Sequence, residues 1–404
     1  MNTYYNEYPG EAYDLLRTLS AIPAPSGQED QRVDFCLKWL SQNGVRNAFA
    51  DKAKNVIIRF GDSGTNPLVV FSAHSDVVFP DLTPLPFHDD GEKLHCPGIS
   101  DNSVHVAALL WAAKLLSENA AYTSDENETG LLLVINSCEE GLGNLKGTRH
   151  LISDYGHRIK AFIAFDSIYE EIVTIPIGSL RYKINVATEG GHSFRDFGND
   201  NAIAILSGII SELYALSLPE KGKTTFNVGT VKGGTSVNTI AQSAEMLFEF
   251  RSDDRDSLSV MDEKLREILT RTRKGFMKDI GKEVSSADIQ SADPEKKHTS
   301  QLPRISCDLI GERPCMGDVD MEKQKKLTAL AAYYLRKHYP EEPVFSRGST
   351  DCNIPLSKGI PSVCLGCCRG KGAHTREEYL LKDSLAPGLN LALDFIFHAG
   401  KLIL

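Results

Sequence analysis

No stretch of the 404-residue chain approaches the ~18 consecutive apolar residues of a membrane-spanning helix. Residues Met1 to Glu7 have neither a basic region nor an apolar run, so no secretory signal is expected. Positive charge is in deficit: 44 Lys and Arg stand against 54 Asp and Glu, a formal net charge of −10. Nucleic-acid binding needs a basic footprint, so that class of partner is excluded. The acidity reads as a solubility feature. Nine cysteines, an odd number, are scattered through the chain, which predicts free thiols in a reducing compartment, the cytoplasm. The one cluster, Cys364, Cys367 and Cys368, has no second Cys pair to complete a zinc site and reads as core thiols. There is no Gly-x-Ser-x-Gly elbow and no Cys in a nucleophile context, which argues against a serine or cysteine hydrolase.

What is present is a globular composition, 41% apolar and 24% charged, at a length that suggests two domains. Short apolar runs punctuate the first part: Pro67 to Ala73, Gly130 to Asn136 and Ala161 to Phe165. Runs of this kind mark strands buried on both faces. Helical spacing at Glu11 to Leu19, Gln31 to Gln42 and Val104 to Leu116 alternates with them, which predicts an α/β domain with a mostly parallel sheet in three layers. The middle reads differently. Strand candidates at Leu180–Thr188, Thr225–Val231, Glu245–Arg251 and Arg304–Ile310 interleave with helices at Asn201–Leu216 and Asp256–Phe276. That β-α-β-β-α-β order is ferredoxin-like. The polar stretch Lys278–His298 reads as a loop or ragged strand. Helices at Glu322–Tyr339 and Asp383–His398, with a strand at Ile360–Leu365, return to the first style. The expectation is a catalytic domain of residues 1–178 and 311–404, with an inserted α+β domain at 179–310.

Polar residues follow the apolar runs directly. His74 and Asp76 follow the first, Glu139 and Glu140 the second, and Asp166 the third. His374 comes a loop after Ile360–Leu365, and Asp101 precedes the Val104 helix. In open parallel sheets, sites gather beyond the carboxyl ends of the strands. His, Asp and Glu suit hard or borderline cations. One carboxylate can bridge two ions about 3.5–4 Å apart, leaving room for a shared water. Each residue alone has an ordinary reading: Asp101 as a helix N-cap, Glu139-Glu140 as a solvated pair, His374 as an exposed loop residue. Their joint placement at successive strand ends favours a metal centre.

Several segments carry a resemblance. They are Ser72-Ala73-His74-Ser75-Asp76, Gly98-Ile99-Ser100-Asp101-Asn102, Ser137-Cys138-Glu139-Glu140-Gly141, Ala164-Phe165-Asp166-Ser167 and Gly372-Ala373-His374-Thr375. With Gly190-Gly191-His192-Ser193, Gly234 to Ala241 and Gly348-Ser349-Thr350-Asp351, the chain resembles the co-catalytic di-zinc exopeptidase and deacylase family. That family includes aminoacylase, carboxypeptidase G, succinyl-diaminopimelate desuccinylase and peptidase T, and peptidase T-like members are nearest in flavour. The resemblance implies that Asp101 bridges two Zn2+ (or Co2+ or Mn2+). His74 and Asp166 would complete one ion, and Glu140 and His374 the other. Glu139 would be the general base, taking a proton from the bridging water and returning it to the leaving amine. Asp76 would hold the second ring nitrogen of His74. In the inserted domain, a lid, Asn238 and Arg251 would bind substrate, and His192 would steady the oxyanion, reaching into the partner of a homodimer. Without the resemblance, Arg251 reads equally as a surface salt bridge and His192 as a turn residue. The chain departs from the family pattern in the run Asn102-Ser103-Val104-His105, which puts local helix packing in question.

The implied activity is hydrolysis of amide bonds in di- or tripeptides. A deacylase of N-acyl amino acids shares every ligand and stays open. A non-catalytic peptide-binding relative is the reading from another class, and retention of all five ligands and Glu139 argues against it.

Overall fold

The computed structural model describes residues 5–119, 128–280 and 303–398. They divide into two compact units: 1–177 with 313–404, and the inserted 178–312. From residue 281 on, the polar stretch Lys278–His298 lies outside the described residues.

The first unit is built on an eight-stranded sheet. Its order is Ala48–Ala50, Val56–Phe60, Gly130–Asn136, Leu68–His74, Ile159–Phe165, Ser362–Leu365, Glu171–Pro176, Val344–Gly348. The four strands from Gly130–Asn136 to Ser362–Leu365 run parallel. All seven residues of Leu68–His74 and of Gly130–Asn136 are buried, as expected of strands covered on both faces. Alternation assigns the layers. Val69, Phe71 and Ala73 join one core with the helices Gly10–Ala21, Val104–Ser117, Met321–His338 and Leu385–His398. Leu68 and Val70 join the other, with Leu151 and Ile152 of Lys146–Tyr155 and Ile354 of Asn353–Ser357. This is a three-layer α/β arrangement.

The helix Lys146–Tyr155 and the strands Glu171–Pro176 and Val344–Gly348 did not stand out in the sequence. The helix is short, Glu171–Pro176 is only partly buried at three of its six positions, and Val344 and Phe345 at the sheet margin are exposed, so none of the three has a fully apolar signature. A small antiparallel sheet also forms, in the order Gly370–Lys371, Tyr379–Leu381, Lys93–His95, His88–Asp89. It ties the loop beyond Ser362–Leu365 to the segment leading into Asp101.

The inserted unit is a four-stranded antiparallel sheet, ordered Thr224–Gly233, Ser243–Ser252, Gly178–Ala187, Arg304–Arg313. Burial alternates with period two along Ser243–Ser252, so Met246, Phe248 and Phe250 face a core. The helices Ala202–Tyr214 and Arg255–Ile280 pack on these strands, completing the ferredoxin-like order. Asn201 caps the first helix by accepting from the amides of Ile203 and Ala204.

Candidate metal centre

Parallel strands deliver their ends to one side of the sheet. His74 is the last residue of its strand, Asp166 immediately follows Ile159–Phe165, and Glu139-Glu140 lie three and four residues beyond Gly130–Asn136. Asp101 sits in the irregular turn Ile99–Ser103 at the head of the helix Val104–Ser117. Gly98 starts that turn at φ +76°, and a Cβ there would meet Val77 Cγ1 at 2.4 Å, so only glycine fits. The turn is not a side-chain cap: the two carboxylate oxygens of Asp101 point to two different histidines.

His74 Nε2 lies 3.0 Å from Asp101 Oδ1 and 3.9 Å from Asp166 Oδ2. His374 Nε2 lies 3.0 Å from Asp101 Oδ2 and 3.2 Å from Glu140 Oε1. Two trios result, His74–Asp101–Asp166 and Asp101–Glu140–His374, with the donor atoms of each within 4.8 Å of one another. Asp101 belongs to both. A third trio, His74–Glu139–Glu140, meets the same criterion. The nitrogen and oxygen donors suit zinc and its neighbours. One orphaned atom tests the fit. His74 Nε2 is buried and 3.0 Å from Asp101 Oδ1, yet among the described residues it has no hydrogen-bond partner. A lone pair aimed at a cation satisfies it, whereas an ordinary core histidine would not leave it bare.

Electrostatics point the same way. Burial works to lower the His74 pKa, but the nearby carboxylates of Asp101, Asp76 and Asp166 raise it well above 6.5. Asp101 and Glu140 push His374 up to about 10. Burial, then the charge of Asp101, pushes Asp166 up to about 7. Burial also works to raise Asp101, but the imidazoles of His374 and His74, each 3.0 Å away, hold it below the usual carboxylate range. This is an anionic cluster that holds protons where divalent cations would displace them.

Neighbouring groups fix the cluster. The nearest partner of His74 Nδ1 is the backbone carbonyl of Asp76, at 3.0 Å; the carboxylate expected there is 3.6 Å away. That carboxylate instead accepts from the amides of Glu139 and Glu140, at 2.9 Å each, and from Ser26 Oγ. Asp76 therefore sets the backbone of the two glutamates. Glu139 is buried against Arg313, whose Nη1 donates to Oε1 at 2.9 Å and to Ser349 Oγ at 3.2 Å. Burial raises the Glu139 carboxyl well above its usual value, and the Arg313 charge opposes it. Glu378, also buried, accepts from the turn that carries Asp101. Neither Arg313 nor Glu378 was picked out in the sequence. Each is a charged residue among others, and only the fold reveals its partner. His105, the departure from the family pattern, is buried, and its Nε2 accepts from the Cys367 amide at 2.9 Å, so the helix packs around it. Cys364, Cys367 and Cys368 are buried free thiols.

The structure thus brings the five proposed ligands and Glu139 together. His192, Asn238 and Arg251 belong to the inserted unit and are placed within it. The strand Gly191–His192 pairs with Thr239–Ile240, and Ser193 donates its amide to the Asn238 carbonyl at 3.0 Å, so His192 and Asn238 share one small ribbon. Arg251, at the end of its strand, donates to Glu249 Oε1 at 2.8 Å.

The sequence signature of Peptidase family M20/M25/M40 matches residues 70–398. A succinyl-diaminopimelate desuccinylase from Corynebacterium glutamicum is 26% identical over 378 residues, 91% of each chain. An M20-domain protein of Schizosaccharomyces pombe is 26% identical over 240 residues, which cover 57% of this chain and 58% of that relative's length. Among solved structures, aminopeptidase PepT from Bacillus cereus superposes with a TM-score of 0.68 at 19% identity, covering 96% of this chain and 98% of that one, a likeness of fold.

Proposed function

We propose, from the premise that this chain belongs to Peptidase family M20/M25/M40, that it is a two-metal hydrolase of amide bonds in small peptides. One observation carries the reading: Asp101 is shared by two trios of donors. In this reading His74 and Asp166 would hold one ion with Asp101, and Glu140 and His374 would hold the other with it. When bound, such a pair supplies a polarised carbonyl and a water of lowered pKa. The ions proposed are zinc, with cobalt or manganese compatible with the same donors.

Glu139 takes the proton of the attacking water and returns it to the leaving amine. Its support is placement beside the trios with one carboxylate oxygen anchored by Arg313. Asp76 aligns Glu139 and Glu140 through their amides. Beside Glu140, a cavity of about 490 Å³ is lined by Val77, Val78, Phe79 and Leu142, with Lys146 also in its wall. We assign it to a substrate side chain or acyl group. Arg251 forks onto a terminal carboxylate, Asn238 binds the substrate, and His192 steadies the oxyanion from a second copy of the chain. Phe194, Phe197 and Val237 are exposed close in sequence to His192 and Asn238, which supports a homodimer through the inserted unit. Among the described residues no helix is long and apolar enough to cross a membrane. Nine free cysteines support a cytoplasmic setting.

The second reading, a deacylase of N-acyl amino acids, is favoured by the desuccinylase that is 26% identical over 91% of the chain. A panel of free di- and tripeptides and their N-acyl amino acid counterparts separates the two. Turnover confined to free peptides supports the peptidase. Turnover confined to acyl amino acids overturns it in favour of the deacylase. Two metal equivalents with no turnover on any amide overturn both.

A further inference from the structure

Glu378 stands four residues after His374, on the segment that leads from the His374 loop into the small sheet. It is fully buried. Its Oε2 accepts from the Gly98 amide at 2.6 Å. Its Oε1 accepts from the Ser100 amide at 2.7 Å, from Ser100 Oγ at 2.5 Å and from the Asp101 amide at 3.0 Å. Four donors from one turn converge on a single carboxylate, more than a surface turn needs for its own backbone. Amide nitrogens can only donate, so the geometry demands an acceptor on both oxygens.

We propose that Glu378 is the positioning residue of the metal centre: it clamps the Gly98–Asp101 turn to the His374 loop and so fixes the shared carboxylate of Asp101 between the two ion sites. The proposal rests on the metal-centre reading above. Asp101 has no regular helix around it to hold its backbone. Asp101 itself, at φ −123°, ψ 79°, and Asn102 after it, at φ −140°, ψ 21°, are non-helical. The clamp replaces the missing helical hydrogen bonds. Because the same chain segment carries His374, one side chain sets two of the five proposed ligands relative to each other. Outer contacts of this kind that orient metal ligands are worth 10–100-fold in affinity.

Glu378→Gln tests the proposal with almost no change of shape. One acceptor oxygen becomes an NH2 donor, which must face at least one backbone N–H. We expect zinc affinity, read on the full chain by competition with a chelating dye, to fall about 10–100-fold. Ser100→Ala removes only the Oγ contact, and we expect a smaller fall in the same direction. A merely structural role would lower the melting temperature of the metal-free protein and leave affinity for zinc unchanged, and that result overturns the proposal. If Glu378→Gln does not fold, Ser100→Ala decides alone, and unchanged affinity there overturns it. Wild-type protein that takes up no zinc removes the metal-centre reading and the clamp together. Wild-type protein that binds two ions as tightly as Glu378→Gln removes the clamp and leaves the metal centre standing.

Discussion

Glu139→Gln separates the two jobs this residue is placed to do. Glu139 lies in a donor trio with His74 and Glu140, so geometry alone would allow it to be a ligand. It also lies against Arg313 at 2.9 Å, as an anchored base would. Gln keeps the shape, and its carbonyl oxygen still accepts from Arg313. Ala would not: it would strand a buried guanidinium, at a cost of about 3–5 kcal/mol, and confuse a loss of chemistry with a loss of folding. Gln cannot take up a proton. General-base catalysis contributes about 10²–10⁴-fold, or roughly 3–5 kcal/mol at 1.36 kcal/mol per decade. The expected result is kcat lower by about 10³-fold, KM changed little, and two metal equivalents retained. The assay is steady-state turnover of a dipeptide on metal-loaded protein, beside elemental analysis of the dialysed protein. Loss of one metal equivalent would make Glu139 a ligand. Retention of near-wild-type kcat would show that another group moves the proton. Either result refutes the reasoning.

Three further outcomes follow from the site. His374 is held at about 10 in the metal-free protein, above the ordinary 6.5, so at pH 7 it carries a proton that a metal ion must displace. Zinc loading at pH 7 should therefore release on the order of one to two protons, counted by calorimetry in buffers of different ionisation heat. The sign follows: apparent affinity weakens as pH falls, and zero release means that the imidazoles are not ligands. Gly98→Ala places a Cβ 2.4 Å from Val77 Cγ1 at a φ of +76°, and should destabilise by about 1–3 kcal/mol, seen as a lower melting temperature; an unchanged melting curve contradicts the packing described for this turn. Leu142→Asp, in the wall of the cavity beside Glu140, should raise KM for substrates with apolar side chains or acyl groups and leave metal content unchanged. Equal KM values would show that the cavity is not a substrate pocket.

How much of this was legible in sequence depends on which physics each part uses. Strands such as Leu68–His74 and Gly130–Asn136 are buried along their whole length, so their apolar runs announce them. The ligands at their ends inherit that clarity, because a parallel sheet has one carboxyl-terminal side. The strand Val344–Gly348 has an exposed margin and no such run, and the helix Lys146–Tyr155 is brief and mixed; both escape a pattern-based reading.

The residues that hold the ligands escape it for a different reason. Asp76 was expected to act through a side chain, His74, but its carboxylate is taken up by the amides of Glu139 and Glu140. Glu378 likewise binds amides of residues 98, 100 and 101. A backbone N–H is the same at every position, so a sequence carries no mark of which turn a buried carboxylate will grip. Arg313 pairs with Glu139 across 174 positions, and nothing local marks that reach either. Chemistry at a strand end is therefore readable from residue types, whereas the scaffolding behind it becomes visible only once the chain is folded. It follows that substitutions at Glu378 and Arg313 should perturb this site as well as substitutions of its recognisable neighbours, although both lie outside the segments that carry the resemblance.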